Sequence, residues 1–371
     1  MEKSKPIKVL QMIASLYRGG SQSVVMNLYK NVDRTKVQFD FIIDHEEYDD
    51  YRLEIEKLGG KIYVMPSFKG INLLKIKKAW NNFFVNHPEY KVLHSHSRSY
   101  ASIYLPIAKK HGVKTIIHSH STSNGKGLTS LIKNIMQYPL RYEADYYMAC
   151  SKDSGKWLFG DSVVNNNKFN ILKNAIDTDK FIFNENVRNQ YRKDFGITNE
   201  KVFIQIGNYI KTKNHIFSIE CFEKLMKIDT NCKLYFIGAG GGAIQNSIID
   251  VIKEKKLENN IILLGVRDDV NKLLQMADYY LMPSIYEGIS LAAIEAQASG
   301  INCLLSDSVS KDVKITDNCK FLPLDSDQWV IEMNKKIPSR KNNYDLIVNA
   351  GYDINITANW LLNFYKEIVN E

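Results

Sequence analysis

Two carboxylates, Glu287 and Glu295, stand with seven residues between them in the run Pro283-Ser-Ile-Tyr-Glu-Gly-Ile-Ser-Leu-Ala-Ala-Ile-Glu-Ala-Gln-Ala-Ser-Gly300. The preceding Asp278-Tyr-Tyr-Leu-Met-Pro283 has the apolar pattern of a buried strand, and the residues after Ser290 are good helix formers. A strand, a Glu-Gly turn and a helix start are therefore predicted in succession. Free N–H groups in a first helical turn and the positive end of the helix dipole favour an anion, usually phosphate. Glu287 is expected in the loop beside that anion. Glu295, five residues after Ser290, is expected on the second turn, where a carboxylate can accept hydrogen bonds from sugar or ribose hydroxyls. The pair alone is a weak signal, because the chain holds 41 acidic residues and a helical glutamate is more often simply solvated.

Other predicted strand ends carry further candidates. Arg18-Gly-Gly-Ser-Gln22 follows an apolar run and precedes the helical pattern of Val24, Val25 and Leu28, so Gly19 and Gly20 sit where backbone can approach a ligand closely. Two histidine pairs, His94-Ser-His96 and His118-Ser-His120, each close a strand. Residues two apart share a strand face, so each pair can point together toward the carboxyl ends of the strands, where open α/β sheets bind ligands. Four histidines also admit a metal reading, but such clusters normally include a carboxylate or thiolate. Gly207-Asn-Tyr-Ile-Lys-Thr-Lys-Asn-His215 follows another strand and supplies Lys211 and Lys213. Gly238-Ala-Gly-Gly-Gly-Ala243 formally matches a dinucleotide fingerprint, yet the strand Ile261 to Gly265 ends without the acidic residue that grips a ribose, and Asp268 comes late.

These candidates need a scaffold, and the chain's 371 residues suggest two domains of similar size. Short apolar runs alternate with helical patterns, the signature of parallel sheets wound by helices. Strands are expected at Lys8 to Ala14, Gln38 to Asp44, Lys61 to Pro66, Lys91 to His96, Lys114 to His120, Tyr146 to Ser151 and Phe169 to Lys173. A second series is expected at Lys201 to Gly207, Lys233 to Gly238, Ile261 to Gly265, Tyr279 to Pro283 and Asn302 to Ser306. The polar stretch Phe181 to Glu200 reads as a linker, which sets the domains at 1–180 and 181–354, with an amphipathic helix at about 355–371.

Residues 1–180 carry 27 Lys and Arg against 17 Asp and Glu, whereas the remainder has 22 against 24, so the excess positive charge belongs to the first half. Its densest piece, Ile71 to Phe84, puts Leu73, Leu74, Ile76, Trp80 and Phe84 near one helical stripe with Lys75, Lys77 and Lys78 largely elsewhere. Such a helix can lie on an anionic membrane, although covering a sheet is the commoner use. The five cysteines are scattered, which indicates neither a disulfide framework nor a zinc site and fits a reducing cytoplasm. No signal-peptide core and no membrane-length apolar run is visible, so a soluble or peripheral protein is expected.

The run through Glu287 and Glu295 resembles the glutamate-pair signature of the retaining glycosyltransferases of the large fourth sequence family. The resemblance extends from Lys8 to the final helix and is strongest over residues 265–300. It implies the α/β architecture called GT-B, two Rossmann-like domains facing across a cleft, with a C-terminal helix crossing back to the first. It further implies a nucleotide-sugar donor on the second domain, an acceptor on the first, and neither cofactor nor catalytic metal. On this resemblance the donor is contacted by Gly19, Gly20, Asn208, Lys213, Val266, Glu287, Gly288, Ile289, Ser290, Leu291 and Glu295, with Arg267 a lesser base contact. His120, or His118 if the register slips by two, is the histidine beside the transferred sugar, and Glu287 orients that sugar. The family commonly has Gly-Arg where Gly207-Asn208 stands, with a lysine five residues beyond the arginine. Lys213 matches the lysine, but Asn208 brings no charge, and Lys211 could supply the missing cation. Asp177-Thr-Asp179 lies in a turn the family shares, so it is not taken as the metal-binding Asp-x-Asp of the other glycosyltransferase architecture.

The implied activity is transfer of a hexose from a nucleotide diphosphate sugar, UDP first among them, to a saccharide or polyprenyl-diphosphate-linked acceptor in bacterial surface polysaccharide synthesis. The basic first half fits an anionic or lipid-linked acceptor at the inner membrane face, and no nucleic-acid partner is expected. Two rivals remain at this point: an NAD(P)-dependent oxidoreductase built on residues 238–243, and a non-catalytic GT-B scaffold subunit.

Overall fold

The computed structural model describes residues 5–46, 49–121 and 128–371. They belong to two compact units, Met1–Ala175 together with Ile354–Glu371, and Ile176–Asp353. Ile176 marks the border by donating its N–H to Tyr352 at 2.8 Å and bridging to Asp353, so the outgoing and returning crossings run side by side.

The first unit is built on β1 (Ile7–Met12), β2 (Val37–Ile43), β3 (Ile62–Val64), β4 (Val92–Ser95), β5 (Lys114–Ser119), β6 (Tyr146–Ala149) and β7 (Phe169–Ile171). They pair in parallel in the order β3-β2-β1-β4-β5-β6-β7, which reverses direction between β1 and β4. A parallel sheet covered on both faces needs apolar residues without alternation, and β2, Val-Gln-Phe-Asp-Phe-Ile-Ile, is buried at all but Gln38. Its carboxylate is satisfied, since Asp40 accepts from the Tyr90 hydroxyl at 2.7 Å and the Lys61 N–H at 2.8 Å.

The second unit holds β8 (Lys201–Ile206), β9 (Cys232–Ile237), β10 (Ile261–Gly265), β11 (Tyr279–Met282), β12 (Asn302–Ser306) and β13 (Cys319–Leu322). Their order is β10-β9-β8-β11-β12-β13, again parallel, with the reversal between β8 and β11. The last strand was not expected, because Cys-Lys-Phe-Leu is short and carries an exposed lysine.

One expectation needs correction. The stretch Phe181 to Glu200 is not a linker, for it contains the helix Glu185–Asp194, capped by Asn184, which accepts from the N–H groups of Asn186 and Val187. Arg188 and Arg192 from that helix reach the buried carboxylate of Asp278 at 2.6 and 3.5 Å, so ion pairs dock a polar sequence, with Tyr191 packed against the core beside them. In the helix Leu73–Asn86 the buried stripe is Ile76, Trp80, Phe83 and Phe84, facing the core, while Leu74 is 83% exposed. That helix covers its sheet. The terminal helix Ile354–Asn370 belongs to the first unit and buries Ala358, Leu361, Leu362, Tyr365 and Ile368.

Candidate functional site

In the second unit, the loops leaving β8 and β11 flank the point where strand order reverses, the usual binding crevice of an open α/β sheet. Lys213 closes a short 3-10 turn, Lys211–Lys213, after β8, and its ammonium lies 2.6 Å from the Glu287 carboxylate in the loop after β11. The backbones are tied as well: Ile285 donates to Thr212 at 2.9 Å, and the Glu287 carbonyl accepts from Ser310 at 3.1 Å. Both charged side chains are partly shielded, at 17% and 24% exposure. A diphosphate would compete with Glu287 for the ammonium, and hydroxyl groups would compete with Lys213 for the carboxylate.

Glu287, Gly288 and Ile289 lead to Ser290, the N-cap of the helix Leu291–Ala298, whose side chain makes no capping bond. The first-turn amides are thus left to another acceptor. A Cβ on Gly288 would meet no atom within 4 Å, so the loop faces open space there. Glu295 is on the second turn, as its spacing predicts, and among the described residues no cation or donor pairs with it. Burial alone pushes its carboxyl up to about 7. The Tyr280 hydroxyl on β11 is buried without a partner, and its pKa is raised by burial first, then by Cys303, with Glu287 and Glu295 adding to the effect.

The other candidates of this unit are less uniform. Val266 is 56% exposed at the end of β10, but Arg267 is clasped by Asp269 of the same loop at 2.7 and 2.8 Å. Asn208 accepts from the Ala239 N–H at 3.2 Å, which leaves its NH2 as the group it can offer, and Lys211 is exposed. The fingerprint-like glycines are used against protein. A Cβ on Gly238 would lie 2.2 Å from the Gly207 carbonyl oxygen, and one on Gly240 would lie 2.0 Å from the Tyr209 ring. That packing, with no acidic residue at the end of β10, removes the motivation for the dinucleotide reading.

In the first unit, Gly19 is the extended N-cap and Gly20 the first residue of the helix Gly20–Asn31 after β1. A Cβ on Gly19 would lie 2.5 Å from the Tyr17 ring, whereas one on Gly20 would meet nothing within 4 Å. The two histidine pairs come together at β4 and β5, with ring centroids 4.3 Å apart for His94 and His96, 4.0 Å for His118 and His120, and 5.0 Å for His96 and His120. His120 is part-exposed; His118 is fully buried with both ring nitrogens unpartnered. Burial holds all four well below the ordinary histidine range, His120 down to about 3, where the Arg98 charge adds to the effect.

A chain of hydrogen bonds sets their orientation. Gln11 donates to the Tyr365 hydroxyl at 3.2 Å, and Tyr365 lies 2.6 Å from Nδ1 of His94. Nε2 of His96 lies 2.9 Å from the Gln11 amide oxygen, and Nδ1 of His96 is 2.7 Å from Nε2 of His120. With the amide so oriented, His96 donates through Nε2 and accepts at Nδ1, so His120 donates through Nε2 and keeps a lone pair at Nδ1. His94, His96 and His118 bring ring nitrogens within 4.8 Å of one another, a spacing three metal ligands could share. Both nitrogens of His96 are already engaged, however, and neither carboxylate nor thiolate joins the group. One hydrogen bond, between His96 and His120, joins two of the four rings, while Nε2 of His94 and both nitrogens of His118 are buried without a partner.

Two families tile this chain: "Glycosyltransferase Family 4" over residues 18–180 and "Glycosyl transferases group 1" over residues 187–333. The chain belongs to the glycosyltransferases of GT-B architecture. It is 27% identical to a protein named as glycosyltransferase EpsF of Bacillus subtilis (strain 168), over 97% of this chain and 96% of that one. It is 25% identical to the capsular polysaccharide biosynthesis glycosyltransferase CapH of Staphylococcus aureus, over 97% and 98%. Among solved structures, Anabaena Alr3699/HepE in complex with UDP superposes with a TM-score of 0.81 over 97% of this chain and all of that one, at 14% identity, a likeness of fold.

Sequence reading missed several residues of this glycosyltransferase. Gln11 and Tyr365 sit in an apolar strand and an amphipathic helix, and nothing local marks their contact across 354 positions. Arg98 stacks over Trp157, with its charged carbon 5.0 Å from the ring centroid. Its only visible signal was adjacency to His94-Ser-His96. Tyr280 was hidden within a strand pattern.

Proposed function

We propose that the protein is a retaining hexosyltransferase that takes its sugar from a UDP-linked donor and passes it to a saccharide or polyprenyl-diphosphate-linked acceptor in bacterial surface polysaccharide synthesis. The observation that carries this reading is the Lys213–Glu287 pair at the switch point, beside an uncapped helix N-terminus and the isolated carboxylate of Glu295. Together they offer a cation and backbone amides for a diphosphate, and two carboxylates for hydroxyls. Lys213 and the first-turn amides of the Leu291–Ala298 helix stabilise charge on the departing diphosphate, a preorganised electrostatic role that a metal serves elsewhere. Glu287 orients the sugar and Glu295 the ribose. A donor phosphate oxygen takes the acceptor proton, so no side-chain base is needed.

Support for the donor and acceptor classes comes from relatives. One Escherichia coli protein, 22% identical over 84% of this chain, is named a UDP-Gal:alpha-D-GlcNAc-diphosphoundecaprenol alpha-1,3-galactosyltransferase. Thermal shift with UDP, GDP and NADH, followed by a nucleotide-sugar panel read by diphosphate release and by the anomeric configuration of the product, tests the whole assignment. Stabilisation by NADH alone, or inversion at the anomeric carbon, refutes it. A Glu287→Ala variant with wild-type transfer refutes the donor-site assignment.

Contact with an anionic membrane is assigned to residues 128–142. Leu131, Ile132, Ile135, Tyr138 and Tyr142 are each at least half exposed there, Lys133 and Arg141 lie among them, and no acidic residue occurs from Ile117 to Tyr142. An apolar helix face rimmed by aromatics and cations suits a lipid interface. Sedimentation with anionic vesicles is expected at low salt and is expected to be lost in Ile135→Glu; no binding by the wild type at low salt refutes the contact.

A further inference from the structure

Lys213 ends its short turn just ahead of the helix His215–Met226, and Asn214 between them is in the left-handed region, at φ 55° and ψ 45°. Asparagine tolerates that conformation better than most residues, and it bends the chain sharply after Lys213. The Lys213 carbonyl is left outside the helix, where the buried amide nitrogen of Gln205, on β8, donates to it at 2.8 Å. Gln205 is itself oriented by the helix, for Ser218 Oγ donates to its amide oxygen at 2.6 Å. The two side chains are 2% and 1% exposed, so neither bond is shared with bulk water. A flipped amide would set its oxygen against the carbonyl, so the two contacts together allow one orientation. The rest of the lysine is held by other means. A Cβ on Gly207 would lie 3.1 Å from Cδ and Cε of Lys213, so the stem runs over bare backbone, and the ammonium meets Glu287 at 2.6 Å. Of these contacts, the one with Glu287 is the one a diphosphate would take over. With the tip released from Glu287, a flexible four-carbon side chain is aimed by what holds its backbone and stem.

We infer that Gln205, braced by Ser218, is a positioning residue that keeps Lys213 in place when a diphosphate draws its ammonium away from Glu287. The inference rests on the donor-site reading of Lys213 and extends it to two residues buried behind that site. Gln205 acts through the Lys213 backbone, so its contribution to nucleotide binding exists only while residue 213 carries a cation to deliver. A glutamine that merely supported the fold would contribute the same whatever side chain stood at 213.

The test is a double-mutant cycle on nucleotide binding, with UDP and GDP titrated calorimetrically into the full-length wild type, Gln205→Leu, Lys213→Met and the double variant. Gln205→Leu is expected to weaken binding of the nucleotide that the wild type prefers by about 5- to 30-fold, the scale of one lost hydrogen bond. In the Lys213→Met background the same change is expected to cost no further affinity. Ser218→Ala, which leaves Gln205 present without its brace, should show a smaller loss of the same kind, again absent beside Lys213→Met. That pair of variants decides the question if Gln205→Leu does not fold. Equal losses with and without Lys213 would overturn the inference, because they would make Gln205 a support of the fold alone. Wild-type affinity in both Gln205→Leu and Ser218→Ala would overturn it as well. Wild-type affinity in Lys213→Met, or no binding of either nucleotide by the wild type, sinks the donor-site reading itself and the positioning role with it. A strong effect of Lys213→Met combined with additive losses sinks the positioning role alone.

Discussion

Replacing Glu295 by glutamine removes a charge from a place with little to stabilise it. Burial raises the Glu295 carboxyl from 4.5 to about 7, so in the folded protein it holds its proton more tightly than in the unfolded chain. Between those pH values the folded state binds the extra proton, so stability falls as pH rises through the window and levels off above it. The interval corresponds to at most about 3 kcal/mol. Glu295→Gln stays neutral throughout, so it should match the wild type near pH 4.5 and exceed it by up to about 3 kcal/mol by pH 8. For a domain of this size that is an upper limit of roughly 6–12 °C in melting temperature, read by differential scanning calorimetry across the pH series. Ligand binding should act in the opposite sense. Ribose hydroxyls donating to the carboxylate favour its charged form, so UDP binding near pH 6 should release a proton, detected as a buffer-dependent enthalpy in titration calorimetry. Glu295→Gln should lose that proton release and bind UDP more weakly, a gain of stability coupled to a loss of affinity. If the variant's melting temperature runs parallel to the wild type from pH 4.5 to 8, the burial argument is wrong. If proton release persists in the variant, the ribose assignment is wrong.

Gly238→Ala would set a methyl 2.2 Å from the Gly207 carbonyl oxygen, a backbone atom with little room to yield. A loss of about 1–3 kcal/mol is expected from chemical denaturation, and an unchanged midpoint would contradict the close approach of the two loops. Tyr365→Phe leaves the Gln11 amide and Nδ1 of His94 buried without their shared partner. Its expected cost is about 1–3 kcal/mol per orphaned group, with a lower melting temperature; full stability would mean that the hydroxyl is dispensable to the histidine network.

The alternation of apolar runs with helical patterns was enough to place twelve of the thirteen strands and the two-sheet class, because a doubly covered parallel strand must be apolar along its length whatever its neighbours are. The turn, the cap position of Ser290 and the helical place of Glu295 were likewise legible, since they depend on residues within one or two turns of each other. Partner choice was not legible. Lys213 reaches Glu287 across 74 positions, and His94 meets Tyr365 across 271, distances over which no local pattern carries information. The same holds for the polar Glu185–Asp194 helix, whose sequence resembles a linker until Asp278 supplies the buried carboxylate that its arginines grip. Burial of charge is likewise a tertiary property: a helical glutamate looks the same in a sequence whether it faces water or sits, as Glu295 does, where desolvation alone shifts its proton affinity.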